Sequence, residues 1–189
     1  MNLRLLRFIA LAGAGAFAFV PAAQAVVYNA VNNTASTISF TFQQMGSRNY
    51  GTFGKFAATL DFDTDNPSAA HATLSIDLNS IDAGSEDANT ELQKAAWFNT
   101  AEYPEAKFES TSVKALGNSR YTFTGNLSLR GQTREVSVPV LLKSENAIGI
   151  FVGELTLKRD DFKMGDGEWA ASVVSNDINI QFRMVAPQR

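Results

Sequence analysis

Ala72-Thr73-Leu74-Ser75-Ile76-Asp77-Leu78-Asn79 alternates without a break. Ala72, Leu74, Ile76 and Leu78 fall in one phase, and Thr73, Ser75, Asp77 and Asn79 in the other. Successive side chains of a strand point to opposite faces, so this run predicts a strand with one buried and one wet face.

The same pattern spreads outward in both directions. Before it, residues 37–45 place Ile38, Phe40 and Phe42 opposite Thr37, Ser39 and Thr41. Residues 50–62 keep Phe56, Ala58, Leu60 and Phe62 in step, and Gly51 and Gly54 around Phe53 predict a bulge or bend at the start of that strand. Residues 26–32 read as a first strand, and residues 63–68 as a turn. After it, residues 106–116 form a strand, Gly117-Asn118-Ser119 a hairpin turn, and Tyr121, Phe123, Leu127 and Leu129 the next buried face. Arg130-Gly131-Gln132 turns the chain into Val136, Val138, Val140 and Leu142, with Pro139 on the opposite phase. A strand proline lacks the ladder donor and implies an edge or a bulge. Residues 148–157 continue, residues 160–169 form a polar loop, and Ile178, Ile180, Phe182 and Met184 close the chain.

Eight or nine evenly spaced strands predict an antiparallel barrel or sandwich. In a barrel the one-sided apolar faces would all point inward. Eight strands leave an interior just wide enough to be filled by side chains or to hold one small ligand, and periodicity does not choose between these.

One segment breaks the β-pattern. Asp82-Ala83-Gly84-Ser85 ends a strand, Ser85 can cap a helix, and Glu86 and Asp87 suit its positive end, which predicts a short helix over residues 86–96. Then comes Ala95-Ala96-Trp97-Phe98-Asn99-Thr100-Ala101-Glu102-Tyr103-Pro104-Glu105-Ala106-Lys107-Phe108-Glu109-Ser110. Three of its four aromatics lie in a connection, where loops are normally polar, and Pro104 holds Tyr103 extended. Trp97, Phe98, Tyr103 and Phe108 therefore read as a plug at one end of the β-structure, or as part of the wall of an apolar cavity.

Composition narrows the function. Residues 1–25 read as a secretory signal peptide: Arg4 and Arg7, a short apolar run, then Ala23-Gln24-Ala25. That leaves one domain, residues 26–189, with 14 basic residues against 19 acidic, a net charge of −5. No basic cluster is present to neutralise phosphates, so nucleic acid is not an expected partner. No other run is long enough for a transmembrane helix, and no stable membrane anchor is expected. The chain has no Cys and a single His, His71, in phase with the polar face of its strand. Neither a zinc site nor a Ser-His-Asp triad is expected from one histidine without a Gly-x-Ser-x-Gly elbow. Asp61-Phe62-Asp63-Thr64-Asp65-Asn66 begins like a calcium loop, but Asn66 replaces the turn glycine and Ala72 stands at the bidentate Glu position. Asp160, Asp161, Asp166 and Glu168 show no metal-ligand spacing.

The order of these segments resembles the YceI-like family, a lipocalin-like group of bacterial secreted proteins. Ser36-Thr37-Ile38-Ser39-Phe40 matches its opening strand. Gly51-Thr52-Phe53 with Leu60-Asp61-Phe62-Asp63 matches its second block, and Leu78-Asn79-Ser80-Ile81-Asp82-Ala83-Gly84 its Ser-Ile-Asp-Thr-Gly segment. Trp97-Phe98-Asn99 with Tyr103-Pro104 and Phe108-Glu109-Ser110 resembles its Phe-Phe-Asp, Tyr-Pro and Phe-x-Ser signature. Gly125-Asn126-Leu127-Ser128-Leu129-Arg130-Gly131-Gln132-Thr133 matches its Gly-x-Leu-Thr-x-x-Gly-x-Thr turn. One departure stands out: the family's usual Arg-Asp-x-His-Leu is Ala88-Asn89-Thr90-Glu91-Leu92 here.

The resemblance implies an all-β, extended eight-stranded antiparallel lipocalin-like barrel with one short helix and an internal apolar cavity. It implies a periplasmic protein that holds a polyisoprenoid or isoprenoid quinone as ligand, without a cofactor or metal, as a monomer or homodimer. The expected lining combines Phe40, Phe42, Phe56, Leu74, Ile76, Phe123 and Phe182 with Trp97, Phe98, Tyr103 and Phe108. A binding role is expected rather than catalysis. The alternatives are a solid barrel acting in stress protection or surface interaction, and an enzyme on isoprenoid lipids.

Overall fold

The computed structural model describes residues 25–165 and 173–189. The signal-peptide reading, save for Ala25, and the loop positions Asp166, Glu168 and Trp169 lie outside them. Eleven strands form one antiparallel sheet: β1 (Val27–Tyr28), β2 (Thr37–Gln44), β3 (Ser47–Phe53), β4 (Phe56–Asp63), β5 (His71–Asp77), β6 (Ile81–Asp82), β7 (Glu105–Gly117), β8 (Arg120–Leu129), β9 (Gln132–Glu145), β10 (Ile148–Lys158) and β11 (Asp177–Pro187). Their order across the sheet is β1-β4-β5-β7-β8-β9-β10-β11-β2-β3-β6, which curls into a half-barrel.

The eight or nine strands expected from the alternation become eleven, for two reasons. The run read as one strand from residue 50 to 62 is two, β3 and β4, broken at Gly54-Lys55, where the glycines had predicted a bend. β6 holds two residues, too short for any periodicity to mark it. The strand expected over residues 26–32 shrinks to β1, which pairs with Phe62 and Asp63 of β4 and bridges from Tyr28 to Gln188.

Four hairpins turn on two residues each: Met45-Gly46, Asn118-Ser119, Arg130-Gly131 and Asn146-Ala147. All eight residues have positive φ. Such turns match the right-handed twist of the flanking strands. Helix α1 (Glu86–Gln93) begins as predicted, with the Ser85 side chain accepting from the Ala88 N–H, and ends three residues early. A register shift between Ser110 and Ser112 makes Thr111 a bulge in β7. The inward phase therefore changes from Ala106, Phe108 and Ser110 to Val113, all but Phe108 fully buried.

The interior holds two apolar clusters. At one end, Tyr28 and Phe62 are fully buried, and Phe62 lies 4.9 Å from Tyr121 and 5.3 Å from Phe151, both nearly edge-on. Edge-to-face contact at this spacing is the arrangement aromatic rings prefer. The other end carries α1, the aromatic connection and a four-residue helical turn, Arg159–Phe162.

Candidate functional site

Between these ends lies a cavity of about 570 Å3, in the range of small-molecule sites. The barrel is therefore not solid. The cavity reaches from Ile38, Phe123 and Phe151 at the closed end to Trp97, Met164 and Val174 at the mouth. Apolar side chains dominate the lining, with Gln44, Thr59, Thr73, Glu91 and Arg159 as its polar members.

Nine of the eleven expected site residues line it: Phe40, Phe42, Leu74, Ile76, Trp97, Phe98, Phe108, Phe123 and Phe182. Cross-strand pairing sets several of them side by side, Leu74 with Phe108 and Ile76 with Ala106. Two expectations are corrected. Phe56 pairs with Ile76 and packs against neighbouring core side chains without lining the cavity; Phe53, across the bend, lines it instead, its ring 5.2 Å from that of Phe40. Tyr103 lies outside the lumen. Its ring rests on Gly131 of the β8–β9 turn, and the neighbouring Glu102 carboxylate, with which it hydrogen-bonds, holds its hydroxyl above the usual phenol range. The left-handed Asn99 and the Tyr103 N–H bond to the Asn99 carbonyl steer this part of the chain over the rim.

Three of the lining rings reach with their tips over glycines of adjacent strands: Phe40 over Gly51, Phe108 over Gly125 and Phe182 over Gly153. A Cβ at any of these glycines would fall within the space of the ring. The missing side chains let the rings recline on the wall instead of crossing the lumen. This is how a barrel so rich in phenylalanine keeps an empty interior.

The wall is not paired throughout. β9 and β10 pair from Glu145↔Ile148 to Val140↔Gly153 and no further. Beyond that fork β9 pairs with β8 and β10 with β11. The next position is Pro139, which has no N–H to offer a ladder; the sequence had placed an edge or bulge there. Val136 and Val138 on one side of the fork, and Leu155 and Leu157 on the other, line the cavity.

The mouth is organised by a residue that sequence reasoning missed. Arg159 is only 4% exposed. Its guanidinium donates to the carbonyls of Met164 (2.7 Å), Ser175 (3.2 Å) and Val174 (3.3 Å), and it lies 5.9 Å from the Trp97 ring centre. Charge-assisted bonds to carbonyls and a cation over an indole make burial of this charge tolerable. Asp160 lies 3.4 Å away, largely exposed. The Gly165 N–H donates to the Ala96 carbonyl, tying this turn to the aromatic connection. Nothing in an Arg-Asp-Asp sequence marks the arginine as buried. Phe98 is buried at this rim, while Trp97 is half-buried. Both side chains line the cavity.

Chemistry is sparse here. His71 is exposed on the polar face, 3.8 Å from Glu109. Asp63 caps the turn once compared with a calcium loop by accepting from the Asp65 N–H. Among the described residues, no three His, Asp or Glu side chains gather closely enough to hold a metal ion. Ala88 and Glu91, at the family's usual Arg and His positions, do line the cavity.

A mostly antiparallel half-barrel around an apolar cavity defines a lipocalin-like fold. Residues 29–186 match the family model of the YceI-like domain, and the chain belongs to that family. It is 38% identical to "Protein YceI" of Salmonella arizonae over 109 residues, 57% of this chain and 56% of that protein, so the match spans about half of the relative's length. The crystal structure of Burkholderia cenocepacia BcnA superposes with a TM-score of 0.80 at 34% identity, covering 82% of this chain and 99% of that one. A polyisoprenoid binding domain from Saccharophagus degradans superposes at 0.65 with 17% identity, covering 86% and 99%, a likeness of fold.

Proposed function

We propose that this protein binds one long apolar lipid, a polyisoprenoid or isoprenoid quinone, inside the barrel, and stores or carries it in the periplasm. The carrying observation is the cavity of about 570 Å3 with its nearly continuous apolar lining. Its neighbour from Saccharophagus degradans is a polyisoprenoid binding domain. Residues 1–25, read as a signal peptide, support export, with the mature domain starting at Val26. The role is binding and not catalysis: the lining offers hydrocarbon surface and few titratable groups.

Each buried CH₂ contributes about 0.8 kcal/mol. A chain of several isoprene units would exceed the practical affinity ceiling of about −18 to −21 kcal/mol, so ordering costs must offset much of the gain. Selectivity then follows the fit of chain length to cavity more than polar contacts.

The test is to purify the exported protein, extract it with organic solvent and analyse the extract by mass spectrometry. One isoprenoid lipid per chain is expected. An empty extract, together with no uptake of an added isoprenoid quinone, would sink the reading. Turnover of that quinone would instead identify an enzyme.

A further inference from the structure

The fork between β9 and β10 has a single cause in the sequence. A two-residue turn, Asn146-Ala147, joins the strands, so Glu145 and Ile148 form a hydrogen-bonded pair. Hydrogen-bonded and open pairs alternate along an antiparallel ladder. Lys143, Leu141 and Pro139 therefore turn their backbone groups toward β10. At position 139 the next N–H should reach the Glu154 carbonyl, and proline has none. Beyond it, Glu135 and Ser137 on one arm and Glu154, Thr156 and Lys158 on the other turn backbone donors and acceptors into the fork, with no ladder between them. All five residues are exposed, which leaves these groups open to water.

Among the described residues, no side-chain hydrogen bond or ion pair joins the two arms. Ser137 bonds back to Thr124 on β8, and Thr133 to Ser128, while Glu154 accepts from Asn179 on β11. Behind the wet outer edge stand Val136, Val138, Leu155 and Leu157, which line the cavity. One layer of apolar side chains, three of them half-buried, thus separates water from the lumen. The Val140↔Gly153 rung bounds the fork at one end, and the turn Arg159–Phe162, packed against β9, bounds it at the rim.

The mouth, in contrast, is laced. Besides the bonds of Arg159, the Met45 N–H donates to the Val173 carbonyl at 2.9 Å, the Ser175 N–H to the Gln43 carbonyl at 2.8 Å, and the Gly165 N–H to the Ala96 carbonyl at 2.7 Å. Opening the mouth breaks such bonds. Parting the arms of the fork breaks no ladder bond and separates only apolar contacts, which an entering hydrocarbon chain replaces.

We propose that the β9–β10 fork is the lateral seam through which a long apolar chain enters and leaves the lumen, side-on, while the laced mouth stays shut. The identity of that chain rests on the function proposed above. The seam itself requires only that the cavity takes up a hydrocarbon chain.

The chain has no cysteine, so a pair of introduced cysteines forms the sole staple. Ser137→Cys with Thr156→Cys sets two outward positions across the fork, to be joined by oxidation or, at wider separation, by dibromobimane. Leu141→Cys with Val152→Cys staples the same two strands within their ladder. Two probes are followed into lipid-stripped protein and out into lipid vesicles: octaprenyl ubiquinone, by tryptophan quenching, and dansylaminoundecanoic acid, by dansyl emission. The fork staple should slow entry and release of both probes about tenfold or more, and leave their affinities after long incubation unchanged. The ladder staple should alter neither rate, and reducing a fork disulfide should restore both. Circular dichroism and unfolding midpoints confirm that each variant folds. Wild-type rates in the fork-stapled protein overturn the proposal, as does equal slowing by the two staples. A fork staple that lowers affinity without slowing entry makes the fork part of the wall only, and overturns it too. Slowed entry of the dansyl probe, with no binding of the ubiquinone, keeps the seam and removes the isoprenoid from the proposed function. Uptake of neither probe removes both readings.

Discussion

The two ends of the barrel are built from the same residue types and behave as opposites. At the closed end, Tyr28, Phe62, Phe151 and Tyr121 meet edge to face and fill the space, with the Tyr28 hydroxyl within 3.2 Å of the Ser144 hydroxyl. Toward the mouth, Phe40, Phe108 and Phe182 lie back on glycines, and the space between them stays empty. Aromatic content does not decide whether a barrel is solid. Glycines receive rings at both ends, Gly149 under Tyr28 as well as Gly51 under Phe40. What differs is that the closed-end rings of Phe62, Tyr121 and Phe151 come from non-adjacent strands and meet across the interior, whereas the ring neighbours of Phe40, Phe42 and Phe53, stand on its own strand and the adjoining one. Stability should therefore reside at the closed end and binding at the open one.

The largest expected effect is at Phe62→Ala. This side chain is fully buried, so its loss should cost about 3–5 kcal/mol. Denaturant unfolding of lipid-stripped protein measures it. A loss no larger than that of a cavity-wall residue would erase the distinction between the ends.

Arg159→Met tests the one strongly built point at the mouth. Bonds from a charged donor to the carbonyls of Met164, Val174 and Ser175 are removed together, and about 2–3 kcal/mol of stability should go with them. Unchanged stability would show that the open end needs no staple.

Gly153→Ala should move the Phe182 ring off the wall and into the lumen. Lipid affinity is expected to fall about tenfold, and stability by about 1 kcal/mol. Quinone titration beside unfolding reads both. A stability loss with unchanged affinity would mean that the reclining rings do not hold the cavity open.

Trp97→Ala should lower lipid content after re-loading several-fold, with a loss of about 1 kcal/mol in the empty protein, because Trp97 is only half-buried. Phe98, buried beside it, should show the reverse balance. If both variants unfold the empty protein and bind normally when folded, the connection is a plug alone.

The smallest effect concerns Glu105 at the mouth end of β7. Lys107 and the Ser75 hydroxyl, both hydrogen-bonded to it, hold its carboxyl below the usual value. A depressed folded value stabilises above the unfolded value, near about pH 4.3, and that contribution is lost as pH falls through the folded one. Glu105→Gln should slightly lower stability at neutral pH, leave it unchanged below the folded value, and so flatten the acid limb of an unfolding-versus-pH profile. An unaltered acid limb would remove Glu105 from the account.

The sequence by itself determined which side chains face inward. Alternation of period two is local, so Phe40, Leu74, Ile76 and Phe123 could be placed on the inner face from their neighbours alone. Turn positions were equally legible, because Asn118-Ser119 and Arg130-Gly131 supply the left-handed conformations that two-residue hairpins require. The break in pairing at Pro139 followed from its missing N–H. Only the tertiary structure decided how far along the barrel each inward residue stands and what lies across from it. Phe56 and Phe53 exchange roles because a bend at Gly54 turns the chain between them. Tyr103 leaves the lumen because a distant glycine, Gly131, receives its ring. Arg159 is buried by carbonyls that lie 5 to 16 positions further along the chain. Facing is a property of one strand, whereas a cavity is a property of several, and its volume depends on pairings that no single stretch of sequence contains.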